Sequence, residues 1–431
     1  MEWIDAVVLG GTFFSLLLLG VPVAYSIGVS TALALLLSAL PGPAVTTVAQ
    51  QMATGLDSFT LLAIPFFVLA GQLMNRGGIA RRLVAFAKSL LGSLPGSLAH
   101  VNILAAALFG AISGSAVTAA TAVGGMMGPV MEREGYGRDY AAAVNITSST
   151  TGLIIPPSNI LIIYSLAAGG VSIASLFLAG YLPGLLVAGM LMGVSALLAV
   201  RRGYPRDART PLREIVRRFV DAIPSLFLLV VIMGGIVGGI FTATEAAAVA
   251  VLYALVLSFA YRELSVADLP AILLDAATTT AVVMLLIATS LAMSWVMAYA
   301  NIPQTLTAAL LSLTDNPAMI LLLINLVLLV VGTFMDMTPA VLIFTPLFLP
   351  IAVDLGIDPV HFGIIMVLNL CIGLCTPPVG SILFIGVGVA NTTIERVVRP
   401  LLPLFLAMVI SLVIVTFVPG LSLWLPRLFG Y

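Results

Sequence analysis

TTGLIIPPSNILIIY at 150–164 and CIGLCTPPVGSILFI at 371–385 are the stretches on which the fold turns. Each is an apolar, membrane-length segment interrupted by Gly-x-x-x-Pro-Pro, from Gly152 to Pro156-Pro157 and from Gly373 to Pro377-Pro378. A Pro-Pro pair removes two backbone donors and clashes with carbonyls one turn earlier, so both helices must break there. In lipid the freed carbonyls need other partners. Two such breaks at corresponding places of two halves point to a binding site near the bilayer centre.

The rest of the chain agrees with a membrane setting. Of 431 residues, 61% are hydrophobic and 8% charged, and the mean hydropathy is +1.21. Soluble domains carry roughly 25% charged residues. Apolar runs of about 20 residues predict an all-α polytopic membrane protein, whereas a barrel shows alternating segments of about ten. The net charge of −1 leaves no basic footprint for nucleic acid. The acidic start MEWIDAVVLGG does not read as a cleavable signal. Cys371 and Cys375 are spaced i, i+4, far in sequence from His100 and His361, and read as small buried side chains rather than metal ligands. No catalytic or phosphate-binding motif is present, so the chain does not read as an enzyme, and any transport must draw on an ion gradient.

In chain order, the apolar run 4–40 is too long for one span and divides at Gly20 and Pro22. Residues 41–57 read as a turn region, 58–74 as a span, and the segment up to Gly92 as an amphipathic helix. ISGSAVTAATAVGGMMGPVM at 112–131 is built of small residues that allow close backbone approach. It reads as a re-entrant hairpin at about 110–131. The first broken helix follows at about 140–168. An Arg-rich segment begins at 201, and its linker, 206–222, is expected to be cytoplasmic by the positive-inside rule. It separates a first repeat, 1–205, from a second, 223–431. The second repeat contains a hairpin at about 333–353 and a broken helix at about 361–390.

A single offset of 221 pairs Pro129 with Pro350, Gly135 with Gly356, Gly152 with Gly373 and Pro156-Pro157 with Pro377-Pro378. The chain is therefore expected to contain two structural repeats. Whether they run parallel or inverted depends on the parity of crossings, which the sequence leaves open. Inversion is preferred because paired hairpins and broken helices are usual in inverted-repeat carriers.

At each break, unwound carbonyls suit a hard cation such as Na⁺. The half-helix after each Pro-Pro presents N–H groups and a positive dipole end to a substrate carboxylate. Ser158 and Asn159, and Thr376 and Ser381, add side-chain ligands. Ser113, Ser115, Thr118 and Thr121 occupy the first hairpin and Asp336, Thr338 and Thr345 the second, with Asp336 opposite Ser115 under the repeat. About half of these hydroxyls are expected to bond their own helix. Asp336 reads either as an intramembrane carboxylate with a functional role or as a hairpin end in water. Glu245 reads as a buried acid, more a helix cap than a functional group. Asn145, Asn325 and Asn369 read as interhelical hydrogen-bonders.

The strings ISGSAVTAATAVGGMMGPVMEREGY, GGIFTATEAAAVAV and MDMTPAVLIFTPLFLPIAVDLGIDPVHFGIIMVLNLCIGLCTPPVG resemble the large membrane subunit of tripartite ATP-independent periplasmic (TRAP) transporters, and the likeness runs over essentially the whole chain. The resemblance implies a Na⁺-driven elevator-type importer in the bacterial inner membrane, carrying an organic acid. It implies two partners: a small four-helix membrane subunit and a periplasmic substrate-binding protein. It also implies two Na⁺ sites, one at Gly110, Gly152, Ile155 and Pro157, the other at Gly332, Gly373, Thr376 and Val379. The substrate is then expected near Ser113, Ser115, Asp336 and Thr338. A stand-alone ion-coupled carboxylate carrier of the same design is the competing reading.

Overall fold

In the computed structural model, residues 2–37, 43–204, 210–314 and 316–431 are described. Among them there are 21 α-helices, two 3-10 turns and no strand. Among the described residues, eight helices are long and apolar enough to cross a membrane, or nine if one bent pair counts as a span. Long apolar faces remain uncovered, such as Phe219, Ile223, Phe227 and Val230 on one helix, as a lipid-facing protein requires.

The first half begins with α1 (Glu2–Leu18) and α2 (Val23–Leu37), divided at the Gly20–Pro22 break. α3 (Ala44–Leu56) occupies most of the stretch read as a turn, 41–57; residues 41 and 42 lie outside the described residues. AVTTVAQQMATGL holds neither Pro nor a central Gly, so helix propagates once its partners cover it. A 3-10 turn (Phe59–Leu62) then leads into α4 (Ala63–Arg76). α5 (Ile79–Leu91) is amphipathic and carries Arg81, Arg82 and Lys88.

α6 (Ser97–Ser113) and α7 (Ala116–Arg133) form a helical pair that turns at Gly114, whose φ of +63° suits glycine. The pair thus reaches back to Ser97, well before the expected start near 110. Small and apolar residues fill the first arm as well, so composition did not mark its beginning. α8 (Arg138–Ser149) and α9 (Thr151–Ile154) lead to the Pro-Pro break, and α10 (Asn159–Ala167) leaves it at 53°. α11 (Ile173–Arg202) closes the half.

The second half runs α12 (Leu212–Val237), α13 (Ala243–Ala260), α14 (Leu269–Tyr299), α15 (Ile302–Leu313), α16 (Pro317–Phe334), α17 (Met337–Asp354), α18 (Pro359–Gly373), α19 (Ser381–Val389), α20 (Ile394–Phe417) and α21 (Gly420–Leu428). α12 already starts inside the segment read as a linker, 206–222, of which 206–209 lie outside the described residues. The offset of 221 carries both ends of α7 onto α17 and the starts of α8 and α11 onto those of α18 and α20. α5 falls on α15, and α4 on the C-terminal half of α14.

Local signals start these helices. Ser115 accepts from Thr118 N at 3.2 Å, and Asp358 accepts from Val360 N at 2.8 Å ahead of Pro359 at the first helical position. At α13, Thr242 and Glu245 form a reciprocal capping box, with Glu245 accepting from Thr242 N at 2.8 Å. Glu245 is exposed, not buried as the sequence suggested. Its place at a helix N-terminus turns the carboxylate outward and back toward the cap.

Candidate functional site

Two close backbone contacts anchor the centre of the protein. Gly110, in the last turn of α6, lies against Gly152 of α9; a Cβ on Gly110 would sit 2.8 Å from the Gly152 Cα. In the other half Gly332 of α16 meets Gly373 of α18, and a Cβ on Gly373 would sit 2.6 Å from the Gly332 Cα. No side chain fits at either crossing, so glycine is what lets a helical arm reach the edge of a break.

Beyond those crossings the chain unwinds. The Pro156-Pro157 and Pro377-Pro378 peptides are cis. Ile155 and Pro157 lie in the unwound stretch before α10, and Val379 in the one before α19. Several freed backbone groups find local partners. The Ser158 hydroxyl donates to the Leu153 carbonyl, Gly380 N donates to Thr333 O at 3.1 Å, and Ile382 N donates to Leu374 O at 3.1 Å. The Thr376 hydroxyl donates to Ile372 O at 2.9 Å, which leaves its oxygen lone pairs available to a cation.

Between the two centres lies a cavity of about 200 Å³. Ser113, Ser115, Asn159, Asp336 and Thr338 line it, together with Thr118. Ser158 and Ser381, expected beside the substrate, do not. Ser158 is 1% exposed and turned toward Leu153. Asp336 occupies the N-cap position of α17 but makes no side-chain cap bond, so its carboxylate is open to the cavity. Ser115 is the N-cap of α7, and Asn159 is the first residue of α10. Three helix N-termini, those of α7, α10 and α17, therefore border one cavity. The lining contains no Lys, Arg or His. The positive ends of helix dipoles and their N–H groups, not basic side chains, are what the lining offers an anion.

Sequence reading missed the opposite wall. Gln72 of α4 and Thr279 of α14 line the cavity, with Ile64, Val68 and Val283 between them. Gln72 lies inside the otherwise apolar SFTLLAIPFFVLAGQLM, and an amide in such a span was the available signal. The Thr279 hydroxyl donates to Asp275 O of its own helix at 2.9 Å. Asp275 in turn pairs with Arg76 at 2.5 Å near the ends of α4 and α14, away from the cavity lining. Among the described residues no group of three or more His, Cys, Asp or Glu is placed to hold a metal ion.

Residues 11–421 match the family model described as "Tripartite ATP-independent periplasmic transporter, DctM component". The chain is 56% identical over 424 residues to the uncharacterized protein YgiK of Salmonella typhimurium, covering 98% of each chain. It is 38% identical over 440 residues to the C4-dicarboxylate TRAP transporter large permease protein DctM of Rhodobacter capsulatus, covering 99% of this chain and 100% of the other. Its fold is similar to the crystal structure of the Alcanivorax borkumensis YdaH transporter, with a TM-score of 0.61 at 15% identity over 89% of this chain and 90% of that one.

Proposed function

Because the chain belongs to the DctM-component family of tripartite ATP-independent periplasmic transporters, a family of multi-pass bacterial inner-membrane proteins, we propose that it imports an organic acid by coupling it to Na⁺. One observation carries the reading: three helix N-termini converge on a largely apolar cavity whose polar side chains are hydroxyls, amides and a single carboxylate. A cargo carboxylate there is held by backbone N–H groups and dipole ends. Ser113, Ser115, Asn159 and Thr338 supply further hydrogen bonds, and Asp336 accepts from a donor on the cargo.

The two glycine crossings flank this cavity and are the proposed ion sites. Carbonyls of Gly110, Gly152, Ile155 and Pro157 form one. Carbonyls of Gly332, Gly373 and Val379, with Thr376, form the other. Na⁺ is a hard cation that oxygen ligands suit. Each ion adds positive charge next to the carboxylate site, which couples the two bindings in the same direction.

Elevator movement is the proposed means of alternating access, with the helical pairs and broken helices moving as a unit against the wall formed by α4 and α14. The repeats are inverted in this reading. α10 packs on α17 as α19 packs on α7, and α2 packs on α14 as α4's partner α13 does on α4. Such reciprocal contacts are what a two-fold relation between copies produces. Parity supports the direction. α1, α2, the span Phe59–Arg76, the broken helix and α11 make five crossings, and the α6–α7 pair adds none or two. α5, with about 20 Å of length and three basic residues, adds none.

A small membrane subunit and a periplasmic binding protein complete the proposed system. The test is reconstitution in proteoliposomes with both partners and an inward Na⁺ gradient. Uptake is expected only with all three proteins and Na⁺. Robust uptake by the chain alone would instead favour a stand-alone carrier, and uptake indifferent to Na⁺ would remove the coupling.

A further inference from the structure

The two glycine crossings are held in different ways. In the second half, Asn369 lies one turn before Gly373 on α18, and Asn325 lies two turns before Gly332 on α16. Residues at those spacings share a helix face with the glycines. The Asn369 amide donates to the Asn325 backbone carbonyl at 2.8 Å and to its side-chain Oδ1 at 2.9 Å. Asn325 then donates through Nδ2 to the Thr416 hydroxyl of α20 at 3.0 Å, and that hydroxyl donates to Leu412 O at 2.8 Å. A ladder of buried amides thus ties three helices together directly behind one crossing.

The first half has no such ladder. Counted back from the crossing glycine, Ile103 stands where Asn325 does, and the offset of 221 places Ser148 at the position of Asn369; the Ser148 hydroxyl bonds Asn145 O of its own helix. Two buried amides lie near this crossing: Asn102 on α6, whose side chain has no hydrogen-bond partner, and Asn145 on α8, which donates to Ala120 O of α7 at 2.9 Å. Asn145 thus braces the far arm of the pair, not the arm carrying Gly110. The fold therefore forms a glycine crossing without an amide hydrogen bond joining its two helices.

The ladder also carries a cost. Asn369 is fully buried, and its Oδ1 has no hydrogen-bond partner. An orphaned acceptor is an expensive way to join two helices that leucine would pack. What the amide supplies beyond packing is registry: two donor bonds onto one residue fix how far α18 slides and turns against α16.

We propose that Asn325 and Asn369 are positioning residues for the Gly332–Gly373 ion site, holding it assembled before the ion arrives, so that this site binds Na⁺ more tightly than the Gly110–Gly152 site. The proposal rests on the ion reading given above. Thermal unfolding of the purified full chain, followed in NaCl against KCl at constant ionic strength, tests it. The wild type is expected to show a Na⁺-specific rise in Tm. In Asn369→Leu the Na⁺ concentration at half-maximal shift rises about three- to twenty-fold, the scale of one interhelical hydrogen bond in a membrane protein. Asn325→Leu, which keeps the backbone acceptor, moves it in the same direction by less, and carries the test if Asn369→Leu does not fold. A role in stability alone lowers Tm equally at every Na⁺ concentration and leaves the midpoint in place; that result overturns the proposal while sparing the ion reading. A wild type with no Na⁺-specific response overturns both.

Discussion

Gly110, Gly152, Gly332 and Gly373 show how little room the centre leaves. Each lacks a Cβ because another backbone occupies its place. Gly373→Val forces the α16–α18 crossing apart, and overpacking of this kind costs about 1–3 kcal/mol. The expected outcome is a lower Tm together with lost uptake. Thr376→Ala removes one oxygen from the same site without changing the backbone. It is expected to raise the Na⁺ concentration for half-maximal uptake while leaving Tm in the absence of Na⁺ near wild type. Unchanged Na⁺ activation in Thr376→Ala would remove that residue from the ion site. Asp336 and Gln72 illustrate the other residue-scale lesson. Both are polar groups in apolar surroundings, yet only the three-dimensional arrangement puts them on facing walls of one cavity.

Elements carry their own logic, and the capping box of α13 is the clearest case. Thr242 accepts from Glu245 N at 3.2 Å while Glu245 returns to the Thr242 backbone, so a span begins where the Gly-rich 238–240 stretch ends. Thr242→Ala is expected to destabilise the protein by about 1 kcal/mol, read as a lower Tm, with the KM for cargo unchanged. A changed KM would assign this cap a role at the cavity, which its exposed position does not suggest. The broken helices follow the same principle from the other side. Pro-Pro ends one segment, and the next starts a fresh helix whose first N–H groups have no partner within that helix. A break and a fresh N-terminus are thus one feature, and the first of them, at α10, borders the cavity.

At the scale of the whole molecule, the orientation of the repeats is the question with the sharpest consequence. Arg133 and Asp354 are equivalent under the offset of 221, and both are exposed. In an inverted arrangement they face opposite sides of the membrane; in a parallel one they share a side. Arg133→Cys and Asp354→Cys, labelled with a membrane-impermeant maleimide in intact spheroplasts and in inverted vesicles, are expected to react from opposite sides. Cys371 and Cys375 are fully buried, so the background is low. Reaction of both from one side would overturn inversion.

Composition, the aligned Pro-Pro breaks and the 221 offset were legible in the sequence because each follows from local physics. A membrane demands apolar runs, proline interrupts helices wherever it sits, and a repeat keeps its unusual residues in register. Asn159, Ser115 and Asp336 could be read for the same reason, since each stands at the start of a helix. The rest required the tertiary structure. The first arm back to Ser97 shares its composition with its neighbours, and α3 draws its stability from partners distant in sequence. Gln72 joined the cavity, while Ser158 and Ser381 stayed out of it, because a side chain's direction depends on how its helix is rotated against the others. Spacing along a chain names the residues on one face of a helix; only packing between helices decides what that face meets.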